Sequence, residues 1–216
     1  ADKDTAGLVT VTLTRKLDEV MALAHEVLFA PSFPENEFRM LTEKRLQAFQ
    51  TSRQKTSVIA RETFYESLCG SNTPYGRITR EDDYRALTTG ELRRFHGDHY
   101  RPGNFYVTVA GREPEKAVPV LERYFSGIEN DTVPKRSVRG LAFDTAAPGR
   151  IFREVPGSVQ STVRVGWKGI TRDHPDYQQL QVATMILGGY FGSRLMRRIR
   201  EEKGYTYGIQ IRRAHV

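Results

Sequence analysis

One cysteine and one tryptophan stand in 216 residues. The single thiol, Cys69, excludes an internal disulfide, and its place in an apolar helical pattern reads as a small buried hydrophobe. Thiol usage therefore leaves the compartment open between bacterial periplasm and cytoplasm. No run of ~18 apolar residues occurs, so no helical membrane span is encoded. No signal peptide is visible. The spacings HExxH and HxxEH, which set two imidazoles and a base around zinc, are missing. So are the GxSxG elbow, the P-loop and GxGxxG. Cys69 has no charged activator beside it, and nothing supports a covalent enzyme. The chain opens ADKDTAGLV without Met, as expected of a mature or excised polypeptide.

What is there is basic and aromatic. The formal charge is +7 and the pI about 9.6. Hydrophobic residues make up 38%, low for a globular domain, but 11 Phe and 10 Tyr can still build a core. A basic chain invites a nucleic-acid reading. The distribution argues against it, because acids alternate with bases, as in Arg80-Glu81-Asp82-Asp83 and Arg200-Glu201-Glu202-Lys203. Only Arg194, Arg197, Arg198 and Arg200 form a dense cluster, which reads as a solvated or substrate-facing helix.

Periodicity predicts the elements. Val9, Val11 and Leu13 alternate with threonines, the pattern of a half-buried strand. Helices are predicted over Leu17–Ala30, from Pro34 to about Arg53 with Phe38, Leu41, Ala48 and Phe49 inward, and over about Ser57–Cys69 with Gly70 as cap. Residues 71–85 read as loop. Thr88 with Glu91 forms a capping box for a helix to about His99. Phe105–Ala110 reads as a strand and Glu115–Phe125 as a helix that Pro119 kinks or restarts. Residues 128–149 lack periodicity and read as a linker. Ile151–Val155 and Thr162–Trp167 read as strands, and Pro175–Leu187 as a helix. A basic helix capped by Ser193 follows, then a strand in which Tyr205, Tyr207, Ile209 and Ile211 alternate. This mixture predicts an α+β fold, helices packed on one face of a mainly antiparallel sheet.

Candidate chemistry is sparse. His96 and His99 sit one helical turn apart, but a zinc site needs a third ligand and a hydrolase needs a base. At a helix end they are expected to bond the last carbonyls instead. His25 is a weaker candidate still. Gly188-Gly189-Tyr190-Phe191-Gly192-Ser193 reads as a flexible turn before the basic helix. Arg200 closes that helix and Tyr207 opens the next segment. A guanidinium is a rigid fork of donors suited to carbonyl and carboxylate oxygens, and a phenol can donate beside it. Spacing alone favours a plainer reading, with Arg200 satisfying carbonyls at its helix end and Tyr207 in the core.

The segment Ser193–Ile209, SRLMRRIREEKGYTYGI, resembles the arginine–tyrosine segment of the pitrilysin/insulinase zinc metallopeptidase family. Pro74-Tyr75-Gly76 resembles that family's histidine–proline–tyrosine–glycine loop, with Thr73 in place of His. Leu28–Pro34 and Leu87–Gly111 resemble further family segments, in the right order. The resemblance implies two homologous α+β units around a peptide substrate. One carries HxxEH and zinc, and the other supplies the arginine and tyrosine that contact substrate. By position these are Arg200 and Tyr207. It implies that residues 1–127 are the latter part of one unit, 128–149 a linker, and 150–216 the opening of the next. The two parts are then expected to complete one sheet, or a homodimer to exchange halves. No catalytic residue, metal ligand or cofactor is expected in this segment. Zinc is expected in the complete enzyme or a partner unit, in cis or trans. The expected function is a non-catalytic, peptide-binding region of a zinc-dependent metallopeptidase-like protein, without nucleic acid or a membrane span. The alternative is a scaffold or assembly subunit without peptidase activity.

Overall fold

A computed structural model of the chain describes residues 3–101, 105–126 and 149–211. They fall into two compact units, Ala1–Arg164 and Val165–Val216. The region 128–149, expected to be a linker, lies outside the described residues except for Gly149.

The first unit contains six helices among its described residues: α1 (Leu17–Phe29), α2 (Glu35–Ser52), α3 (Thr56–Cys69), α4 (Glu81–Arg85), α5 (Thr89–His99) and α6 (Val118–Phe125). Local chemistry accounts for their limits. Pro34 stands at the N-cap of α2 in extended conformation. Gly70, at φ 82°, takes the positive-φ backbone that ends α3. The Thr88 hydroxyl accepts the Glu91 N–H, and the Glu91 carboxylate accepts the Thr88 N–H, so the capping box forms at α5. Pro119 lies in the first turn of α6, after a 3₁₀ turn over Pro114–Ala117. The proline thus resets the helix start, where its missing N–H costs nothing.

Two packings organise this unit. α1 meets α6 through Phe29, Phe125 and Phe105, with ring centroids 5.5–6.1 Å apart. Met21 and Ala24 are buried on α1. At the edge Arg123 reaches Asp18 at 2.5 Å, and the Tyr124 hydroxyl donates to the same carboxylate at 3.2 Å. α2 meets α4, where Phe49 lies 5.6 Å from Tyr84. The half-buried stripe on α2 is Phe38, Thr42, Leu46 and Phe49, whereas Leu41 and Ala48 are exposed. The inward face is therefore rotated from the expected one. α4 itself falls inside the stretch expected to be loop. Its five residues are too few to show a period, and Asp83, which accepts the Arg80 N–H at 2.7 Å, starts it.

The expected sheet is corrected by the structure. Among the described residues there is no strand. Segments 8–13, 105–110, 162–167 and 205–211 run outside any helix, but no backbone ladder joins two of them. Val9 and Val11 are 89% and 97% exposed, and Val163, Val165 and Trp167 are 80% exposed or more. An alternating pattern says which side of a strand would face a core, but it supplies no partner backbone. Local bonds also compete for these segments. The Thr206 hydroxyl donates to the Gly208 carbonyl at 3.0 Å.

Candidate functional site

In the second unit, α7 (Tyr177–Thr184) runs into a π-helical turn, Met185–Gly189. Gly188 leaves helical geometry there, and its carbonyl accepts the Ile211 N–H at 3.3 Å. A Cβ on Gly188 would lie 2.6 Å from Ile211 Cγ1, so a side chain at this point would force the Ile211 side chain to move. The turn Tyr190-Phe191-Gly192 closes with the Ser193 N–H donating to the Tyr190 carbonyl at 3.1 Å.

Ser193 is fully buried. Its carbonyl accepts the Arg197 N–H at 3.0 Å, so the residue does start the basic helix. Its hydroxyl has no partner among the described residues, which corrects the expected side-chain cap. A second π-helical segment follows, Met196–Glu202. π turns are rare and concentrate at functional sites. This one is held by buried Met196 and half-buried Leu195 and Ile199. Gly204, at φ 64°, ends it and lets the Tyr205 N–H reach the Ile199 carbonyl at 3.1 Å.

Arg200 is half-buried. Its guanidinium lies 4.4 Å over the Phe191 ring. Stacking occupies the face of the guanidinium and leaves its edge donors free. Among the described residues no carboxylate pairs with it, and its side chain satisfies no carbonyl at the helix end. Tyr207 is 93% exposed, so it is not a core aromatic. The expected strand at 205–211 is interrupted at Thr206, whose hydroxyl donates to the Gly208 carbonyl at 3.0 Å and accepts the Gly208 N–H at 3.2 Å. No hydrogen bond joins Arg200 to Tyr207 among the described residues. Phe191, which steadies Arg200, was not singled out from the sequence. Its one signal was an aromatic inside a glycine turn, GYFG.

An open groove of about 630 Å³ lies between Trp167–Ile170 and α7, where Asp176, Gln179, Leu180 and Ala183 form the other wall.

The histidines are held apart. His96 Nε2 lies 2.8 Å from the Leu28 carbonyl, and its ring stacks on Tyr100 at 4.9 Å. The carbonyl belongs to α1, not to the end of its own helix as expected. His99 packs on Phe95 at 4.4 Å. Among the described residues no three of His, Cys, Asp or Glu gather as a metal would require. The described side chains do not bring together the three ligands that zinc takes from a protein.

A family profile described as peptidase M16 inactive domain matches residues 86–215. The chain is 24% identical over 205 residues to an uncharacterized zinc protease, YmxG, of Bacillus subtilis, covering 93% of this chain and 49% of that protein. It is 22% identical over 212 residues to a Helicobacter pylori protein named non-peptidase homolog YmxG, covering 90% and 45%. A crystal structure of a peptidase M16 inactive domain from Pseudomonas fluorescens superposes with a TM-score of 0.64 at 22% identity, over 92% of this chain and 48% of that one. The likeness shows a shared fold. The chain spans about half the length of the curated relatives it matches.

Proposed function

We propose that this chain, which belongs to the peptidase M16 inactive domain family, binds extended polypeptide on behalf of a zinc-bearing catalytic unit, present in cis or in a partner. The family is the pitrilysin/insulinase group that the Arg200–Tyr207 spacing resembles. Arg200 binds carbonyl or carboxylate oxygens of the peptide. Tyr207 donates a hydrogen bond to the peptide or to the oxyanion that develops as the bond is cut, which is electrostatic stabilisation of the transition state.

The observation that carries this reading is the state of Arg200. A guanidinium stacked on Phe191 at 4.4 Å, with no carboxylate neutralising it among the described residues, is a fixed cation with unspent donors. Holding it there in advance lowers the entropy lost when a peptide docks. The exposed phenol of Tyr207 is accessible to the same kind of ligand. Arg200→Ala in the complete protein, with its zinc-bearing unit, is expected to lower peptide binding and turnover about tenfold or more, the cost of a lost charge-assisted hydrogen bond. Zinc content is expected to stay unchanged. Unaltered binding and turnover would refute the assignment.

A second reading has one observation in its favour, the Helicobacter pylori relative named as a non-peptidase homolog. In that reading the chain is part of an assembly subunit. Peptide binding that survives both Arg200→Ala and Tyr207→Phe, or no binding by the native protein at all, would favour it.

A further inference from the structure

We propose that Arg194, Arg197 and Arg198 form a docking row for an acidic stretch of polypeptide. The inference rests on the peptide-binding reading above and names the chemistry of the peptide. All three side chains are exposed, and they fall within five residues. The opposite side of the segment is pinned by buried Ser193 and Met196 and by half-buried Leu195 and Ile199. The backbone that carries the three cations is therefore fixed on one side of the segment. Like charges at this spacing repel. Among the described residues only Glu202 approaches the row, 3.9 Å from Arg197 Nε, and both side chains of that pair are more than half exposed. Among the described residues Arg194 and Arg198 have no ion pair.

Several arginines elsewhere are held by the chain itself. Arg53 pairs with Glu62, Arg77 with Asp83, Arg85 with Glu81 and Arg123 with Asp18. Arg93 donates to the carbonyls of Ser32 and Phe33. In the row, by contrast, guanidiniums are gathered within five residues, and the one anion among the described residues that approaches them is Glu202. A carboxylate matches their planar fork in two-point fashion. Glu201 and Glu202, both exposed on the same segment, disfavour nucleic acid. Duplex DNA carries one phosphate per ~1.7 Å and would meet those carboxylates as well as the arginines. Spaced side-chain carboxylates of a peptide can pass between them.

The test is fluorescence anisotropy on the whole protein with a labelled peptide alternating glutamate and alanine, and with its glutamine counterpart, over a rising salt series. The native protein is expected to bind the glutamate peptide about tenfold tighter, with the gap closing as salt screens it. Combined Arg194→Gln, Arg197→Gln and Arg198→Gln should abolish the gap with unchanged helical circular dichroism. The corresponding lysine triple keeps the charge and should retain a weaker preference, which guards against misreading a folding defect. Equal binding of the two peptides by the native protein, with affinity that still falls in Arg200→Ala, would overturn the acidic preference and leave the peptide-binding reading standing. Binding of neither peptide would sink both. Tighter binding of a single-stranded oligonucleotide of equal charge would overturn the proposal in favour of nucleic acid.

Discussion

The two units hold arginines in contrasting states. In Ala1–Arg164 Arg53, Arg77, Arg85, Arg93 and Arg123 close on their own unit. Arg53 makes two hydrogen bonds to Glu62, at 2.6 and 2.9 Å, while lying 4.6 Å over Phe49. Arg85, Arg77, Arg123 and Arg93 each find a carboxylate or a carbonyl. In Val165–Val216 the guanidiniums of Arg194 and Arg198 have no anion among the described residues, and Arg200 has only the face of Phe191. An ion pair inside a unit satisfies both groups and leaves nothing to offer a ligand. A cation without a partner keeps its donors, at some cost in repulsion. The contrast separates arginines that serve the fold from arginines available to something outside it.

Glycines repeat the contrast and give it the hardest test. A Cβ on Gly76 would sit 2.1 Å from the Gly70 carbonyl oxygen, in a loop that the Thr73 hydroxyl ties to the Cys69 and Gly70 carbonyls and to the Gly76 N–H. Backbone cannot swing aside, so Gly76→Ala is expected to cost about 3 kcal/mol in urea unfolding. At Gly188 the obstacle is the Ile211 side chain, which can rotate, and the same substitution there should cost about 1 kcal/mol. Equal costs would erase the distinction between a rigidly closed loop and a yielding one.

Arg53→Ala comes next, at about 2 kcal/mol. It strands Glu62 half-buried and removes the contact with Phe49. A loss below about 0.5 kcal/mol would place this pair among ordinary surface bridges. Arg200→Ala should cost about 1 kcal/mol by the same unfolding measurement, the worth of a partly exposed cation–π contact, while its effect on peptide binding is large. A stability loss as large as that of Arg53→Ala would put Arg200 among the structural arginines.

The smallest effect is one of pH. Donation from Arg85 holds the Glu81 carboxyl below its ordinary value of 4.5. The Arg80 N–H, then Arg77, hold Asp83 below its ordinary 3.8. A carboxyl lowered on folding stabilises the folded state above its unfolded value, and that contribution drains away as pH falls through the folded value. Acid unfolding of the first unit should therefore steepen as pH drops below these ordinary values. In Glu81→Gln with Asp83→Asn that component should be gone. An unchanged acid profile in the double variant would remove these two carboxyls from the account.

Much of this protein can be read from neighbours along the chain. The proline before α2, the Thr88–Glu91 box, the restart at Pro119 and the glycines after α3 and at 204 act within a few residues, and the structure keeps each of them. The family was likewise legible in the order and spacing of Ser193–Ile209. What spacing could not report was who meets whom across long separations. His96 finds the Leu28 carbonyl 68 residues away, and Tyr207 turns out to face solvent. The alternating segments find no partner strand among the described residues. A cap or a turn is closed by bonds between near neighbours, so residue order suffices to specify it. A ladder, a burial or a stack on a distant ring depends on which remote groups arrive at the same place, and that is settled only when the whole chain packs.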